Sequence, residues 1–174
     1  MFHEYNDYEN PHDKLDKMPL YQKGMEILDL VRTIADLIDD ENQELAWIKA
    51  IMLEDAYMLT AKIAAAEGGE LYDIRMENAA IIRKVGNSLK LHIHSLREFE
   101  FEHAGYYQLV RDKVEEYRLL FIDWVSSFDK THYITDNWGL FNPPGVSPFD
   151  EPDESDDDEF NPDWMDEYFG EDDK

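Results

Sequence analysis

The sequence contains no cysteine. That excludes a disulfide scaffold and thiolate chemistry, and it fits a reducing cytosol, the expected location. Basic residues are scarce: 16 Lys and Arg stand against 41 Asp and Glu, for a formal net charge of −25. Such a chain repels phosphate backbones and anionic membrane surfaces, so neither nucleic acid nor membrane is expected as a direct partner. No apolar run approaches the roughly 18 residues that span a bilayer. The opening stretch MFHEYNDYEN lacks the basic and apolar regions of a secretory signal, so none is expected. Gly68-Gly69-Glu-Leu-Tyr lacks the Lys and the preceding strand of a phosphate loop. Ser88, Ser95, Ser126 and Ser127 lie on helical stretches with no obvious His–Asp setting. These absences argue against an enzyme, and no cofactor is expected.

What remains is a chain of 174 residues, 43% hydrophobic, enough to bury one core. Residues 1–19 read as an N-terminal arm, loosely held or lying on the body, in which Pro11 and Pro19 break any long helix. Residues 20–149 carry four amphipathic helices and a C-terminal wrap. The first helix, 20–39, places Leu20, Ile27, Val31, Ile34 and Ile38 on one stripe, and Asp39-Asp40-Glu41-Asn42 then supplies cap candidates. The second, 43–66, has Leu45, Ile48, Met52, Ala56, Leu59 and Ile63, with Trp47, Ile51 and Met58 widening the stripe. Gly68-Gly69 reads as a left-handed stop.

The third helix, 70–102, carries Leu71, Ile74, Ile81, Val85, Leu89, Leu96 and Phe99, with Asn78 and His92 on the same seam. Gly86 either permits a close helix contact or simply weakens the helix. The fourth, 104–129, alternates steps of three and four through Tyr107, Val110, Val114, Tyr117, Phe121, Trp124 and Phe128. No strand pattern accompanies them. The fold expected is all-α, an antiparallel four-helix bundle, with one long kinked helix as the alternative at Ala104-Gly105. Beyond Lys130 the helical period ends in an extended aromatic and Pro-rich segment. Its Tyr133, Trp138 and Phe141 are expected to cover a bundle face.

Within the second helix, Glu54 and Asp55 stand alone in the apolar stretch IMLEDAYMLTA. The two point about 100° apart on a helix. One is expected in solvent, the other paired with a base such as Arg75 or Arg83. A sharper reading makes Glu54 a ligand of a ferritin-like di-metal site with Glu100-x-x-His103, and Glu77 or His92 as further candidates. Such a site needs two helical Glu-x-x-His pairs. The other acid-x-x-His spacings, Glu9 to His12 and Asp129 to His132, do not supply the second. His92 is expected as a hydrogen-bonded core residue, His94 as exposed, and Asn78 as a buried polar group bonded across the bundle.

From Asp150 to Lys174 there are 14 acids and one Lys, a like-charge block expected to be disordered when free. Phe160, Trp164, Met165, Tyr168 and Phe169 are set among those acids, several of them four apart. Spacing of that kind suits a short helix formed on docking, its start limited by Asn161-Pro162 with Asp163 as N-cap: acids speed the encounter and aromatics supply buried anchors. The alternatives are that the aromatics fold back onto the chain's own bundle or that the segment is inert. The composite expectation is a non-enzymatic adaptor or regulator. Its partner is a protein with a basic or apolar groove, and self-association is possible. One rival is an acidic nucleic-acid mimic that inhibits a nucleic-acid-binding protein, although the 15 bases scattered through residues 1–149 weaken that reading. The other is the metal-binding bundle.

Overall fold

A computed structural model describes residues 11–150, and they form an all-helical fold. The helices are α1 (Pro11–Asp16), α2 (Pro19–Ala35), α3 (Gln43–Glu67), α4 (Tyr72–Glu98) and α5 (Tyr107–Ser126), with a 3-10 turn at Ala104–Tyr106 before α5. Among the described residues there is no strand, and no helix is long and apolar enough to cross a membrane. Helices α2 to α5 are the four read from the sequence. Each packs on its chain neighbour, and α5 closes the ring on α2. Cross-helix pairs fix their directions. Lys23 meets Glu116 and Glu26 meets Lys113, so α2 and α5 are antiparallel. Asp55 meets His92 and Ala66 meets Arg75, so α3 and α4 are too.

The stripes bury as their spacing requires. Ile27, Met52, Leu59, Ile63, Leu89 and Val110 are fully enclosed. Gly24 lets α2 approach α3 closely: a Cβ there would lie 2.9 Å from Thr60 Cγ2. Asn42 caps α3, its side chain accepting from the Leu45 N–H at 3.1 Å. Two positions are not enclosed: Trp47, which widened the second stripe, is 63% exposed, and Ile74, expected on the seam of the third helix, is exposed as well.

Pro11 and Pro19 each start a helix, at positions where a missing N–H costs nothing, and α1 lies on the body, packed on α2. Three expectations need correction. Gly68 is not left-handed: its φ is −74°. Instead the Arg75 Nε–H, at 3.2 Å from both, serves the Ala66 and Gly69 carbonyls at the end of α3. The third helix stops at Glu98 rather than 102, and it is not continuous with α5. Glu100 takes φ 55°, the Phe101 N–H reaches the Leu96 carbonyl, and the Glu100 N–H reaches that of Arg97. This is the Schellman closure, with Glu where Gly is usual. Finally, Trp138 covers no bundle face.

Beyond α5 the chain runs without helix across the start of α4. The Tyr72 N–H donates to the His132 carbonyl and the Ile134 N–H to Asp73 Oδ1, at 2.8 and 2.9 Å. Tyr133 packs against the core and Phe141 is half-buried. At the same end, Glu67 accepts from the Trp124 indole at 2.9 Å and pairs with Arg75, whose guanidinium lies over the Phe128 ring.

Candidate functional site

Glu54 is exposed, while Asp55 is half-buried and turned inward. The partner of Asp55 is neither Arg75 nor Arg83. It is His92 of α4, whose Nε2 donates to Asp55 Oδ2 at 2.8 Å, since a carboxylate can only accept. Sequence periodicity put both residues near the seam, but only the helix pairing shows that they meet. Ser88 Oγ lies 3.4 Å from the same Nε2. A nucleophilic triad needs the acid and the hydroxyl on opposite ring nitrogens. Here both converge on one, so Ser88, His92 and Asp55 cannot relay a proton. The His92 and Tyr107 rings lie nearly perpendicular, centroids 6.4 Å apart. Burial, with the Asp55 charge second, pushes the Tyr107 hydroxyl well above its ordinary range. Asn78 bonds back to the Ile74 carbonyl of its own helix rather than across the bundle.

The metal reading finds no geometry. Glu54 faces solvent, Glu100 is the left-handed residue of the Schellman turn, and His103 stacks on Tyr106. Glu100 and His103 therefore do not share a helix face, as Glu-x-x-His ligation requires. Among the described residues no three His, Asp or Glu side chains are grouped to hold a metal ion. Phe160, Trp164, Met165, Tyr168 and Phe169 lie outside the described residues.

Two surface grooves stand out, with opposite charge. The first, about 410 Å³, lies where the C-terminal segment crosses α4, and Asp73, Glu77, Asp136, Trp138 and Leu140 are among its walls. Asp136 builds it. Its carboxylate accepts from the N–H groups of Trp138, Leu140 and Phe141 at 2.8–2.9 Å, and Asn142 bonds its backbone from both sides. Those amide donors, Phe141 foremost, hold the Asp136 carboxyl below the usual carboxylate range. The fixed turn leaves Trp138 89% and Leu140 74% exposed, and Phe149 beyond it 92% exposed.

The second groove, about 330 Å³, runs between α4 and α5. Ile82, Gly86, Val114 and Phe121 give it an apolar floor; Arg83, Lys90 and Arg118 rim it, and no acid lines it. Glu115 stands just outside, bound by Lys90 at 2.9 Å and Arg118 at 2.8 Å, which lower its carboxyl to about 2. Gly86 is not a close contact: a Cβ there would meet nothing within 4 Å. Neither groove was singled out from the sequence. The seven-residue step from Arg83 to Lys90 around Gly86 was the available signal for the second. The first depends on Asp136 folding a loop, which no periodicity reveals. The chain matches no protein-family model, no curated protein and no solved structure.

Proposed function

We propose that this chain is a non-enzymatic protein-interaction protein, an adaptor or regulator, of the reducing cytosol. Its bundle displays a docking surface on the C-terminal segment, and Phe160, Trp164, Met165, Tyr168 and Phe169 supply a second contact. The observation that carries this reading is the exposure of Trp138 and Leu140 on a turn fixed by Asp136. Burying one such aromatic contributes several kcal/mol, at about 25 cal/mol per Å² over roughly 200 Å². A turn already ordered loses little entropy on binding, and tryptophan is the commonest interface anchor. Asp73, Glu77 and Asp136 around it select a basic, apolar protein surface.

The test is capture from the lysate of the chain's own source, with the full chain, W138E/L140E and F160A/W164A as baits. A protein held by the native chain, lost with W138E/L140E and weakened with F160A/W164A supports the reading. An unchanged set with W138E/L140E contradicts it.

A further inference from the structure

We propose that the groove between α4 and α5 is the seat of the chain's own acidic-aromatic segment, Phe160 to Phe169. This goes beyond the reading above: the side chains that give a partner its second contact rest, before it docks, on a different face of the bundle. Charge is the first argument. In a chain whose acids outnumber its bases 41 to 16, this groove has three cations and no acid in its lining. Lys90 and Arg118 share Glu115, but Arg83 is exposed and forms no ion pair with any described residue. The segment that follows Asp150 is the most acidic part of the chain, with 14 acids and one Lys from residue 150 to 174, so a cationic groove without acids attracts it.

Shape is the second argument. Gly86 leaves the floor without a side chain where one would meet nothing. From Ile82 to Lys90 the groove runs about 12 Å along α4, at roughly 1.5 Å per residue. Asn161-Pro162 places the start of any helix after Phe160, so Trp164 and Tyr168 on one face would span about 6 Å of that length, with Phe160 in the extended lead-in covering the rest. Reach is the third. Pro148 packs against Gly139, and residues 134–141 lie beside Asp73 and Glu77, so the chain leaves the described region near the first turns of α4. Gly86 is about 14 Å further along that helix. Residues 151–159 extend to about 30 Å, so Phe160 reaches the groove without strain. The aromatics then bury on Ile82 and Phe121, while the interleaved acids meet Arg83, Lys90 and Arg118.

The absence of cysteine allows a clean test on the full chain. A nitroxide is attached to G170C, and its broadening of backbone amide signals is mapped by NMR. Broadening is expected at Arg83, Gly86, Asn87 and Arg118, and none at the α2–α3 turn, residues 36–42. It should be lost in F160A/W164A/Y168A, in G86L, which fills the floor, and in R83E/R118E, whose altered residues are exposed and leave helicity intact. It should also weaken in about 1 M salt, where screening acts over roughly 3 Å. Mixing labelled chains lacking 15N with unlabelled 15N chains tests whether the contact is made within one molecule. Broadening that appears at full strength in the mixture overturns the proposal in favour of a second copy's segment. Broadening that survives F160A/W164A/Y168A or G86L, or that falls elsewhere, overturns it as well. Substitutions at Phe160 and Trp164 enter both tests, so the readings are told apart by W138E/L140E, which ends capture and leaves the broadening unchanged, and by G86L and R83E/R118E, which end the broadening and leave the Trp138 surface unchanged.

Discussion

Gly24 and Gly86 both interrupt helix interiors, and their surroundings demand opposite outcomes on substitution. A methyl at Gly24 would lie 2.9 Å from Thr60 Cγ2, on a buried β-branched side chain with little freedom to move. G24A is expected to destabilise the fold by about 1–3 kcal/mol despite its better helix propensity. At Gly86 a methyl meets open space, so G86A should stabilise by about 0.5–1 kcal/mol. Denaturant unfolding of both variants checks the pair; stabilisation by G24A would contradict the packing of α2 on α3. The sequence does not distinguish these glycines, because the difference lies in what the neighbouring helix presents. The same limit applied to Asp55. That one of Glu54 and Asp55 faces solvent was legible from helical spacing; which one, and the choice of His92 over Arg75 or Arg83, was not. Arg75 was already committed to Glu67 and to the carbonyls that end α3.

The helices were legible because burial stripes repeat every three or four residues, and the seam of α5 is the plainest case: Tyr107, Val110, Val114, Tyr117 and Trp124 are all buried, as is Phe128 just past its end. Helix ends were less legible where their caps come from elsewhere. Arg75 finishes α3 from another helix, and Glu100 ends α4 in a conformation that usually selects glycine. That second end gives a test. E100G is expected to raise stability by about 1 kcal/mol, because a left-handed residue with a side chain is strained. Thermal and denaturant unfolding measure it, and a loss of stability would contradict the Schellman closure. Because Glu100 is in that turn, its spacing to His103 carries no ligand geometry. The spacing in sequence suggested a helix face that the chain does not make.

For the whole molecule, charge was fully legible as a total and poorly legible as a map. A net −25 destabilises any compact state by self-repulsion, so added salt should raise Tm at pH 7. Acidification toward the sequence pI of about 4.3 relieves that repulsion. The opposing effect comes from carboxyls held low in the fold: Glu115 at about 2, and Asp136 and Glu116 below their usual range. A depressed carboxyl stabilises above its unfolded value, and that contribution is lost as pH falls through the folded one. For Glu115 the loss runs from roughly pH 4 down to about 2. Stability is therefore expected to peak on the acid side of neutrality and to fall below it, with the lower limb shallower in E115Q. Melting curves from pH 7 to 2 check this; a monotonic decline from pH 7 would contradict it.

Acidity is arranged rather than spread: residues 150–174 hold 14 of the 41 acids, while the groove between α4 and α5 is lined by three cations and no acid. The measurement that tests this arrangement most directly is amide hydrogen exchange across the full chain, native against F160A/W164A. The expected result is slower exchange in the native chain within Phe160–Phe169 and along Arg83–Lys90 and Val114–Arg118, with both differences abolished by the substitutions. Identical exchange maps for the two chains would contradict it.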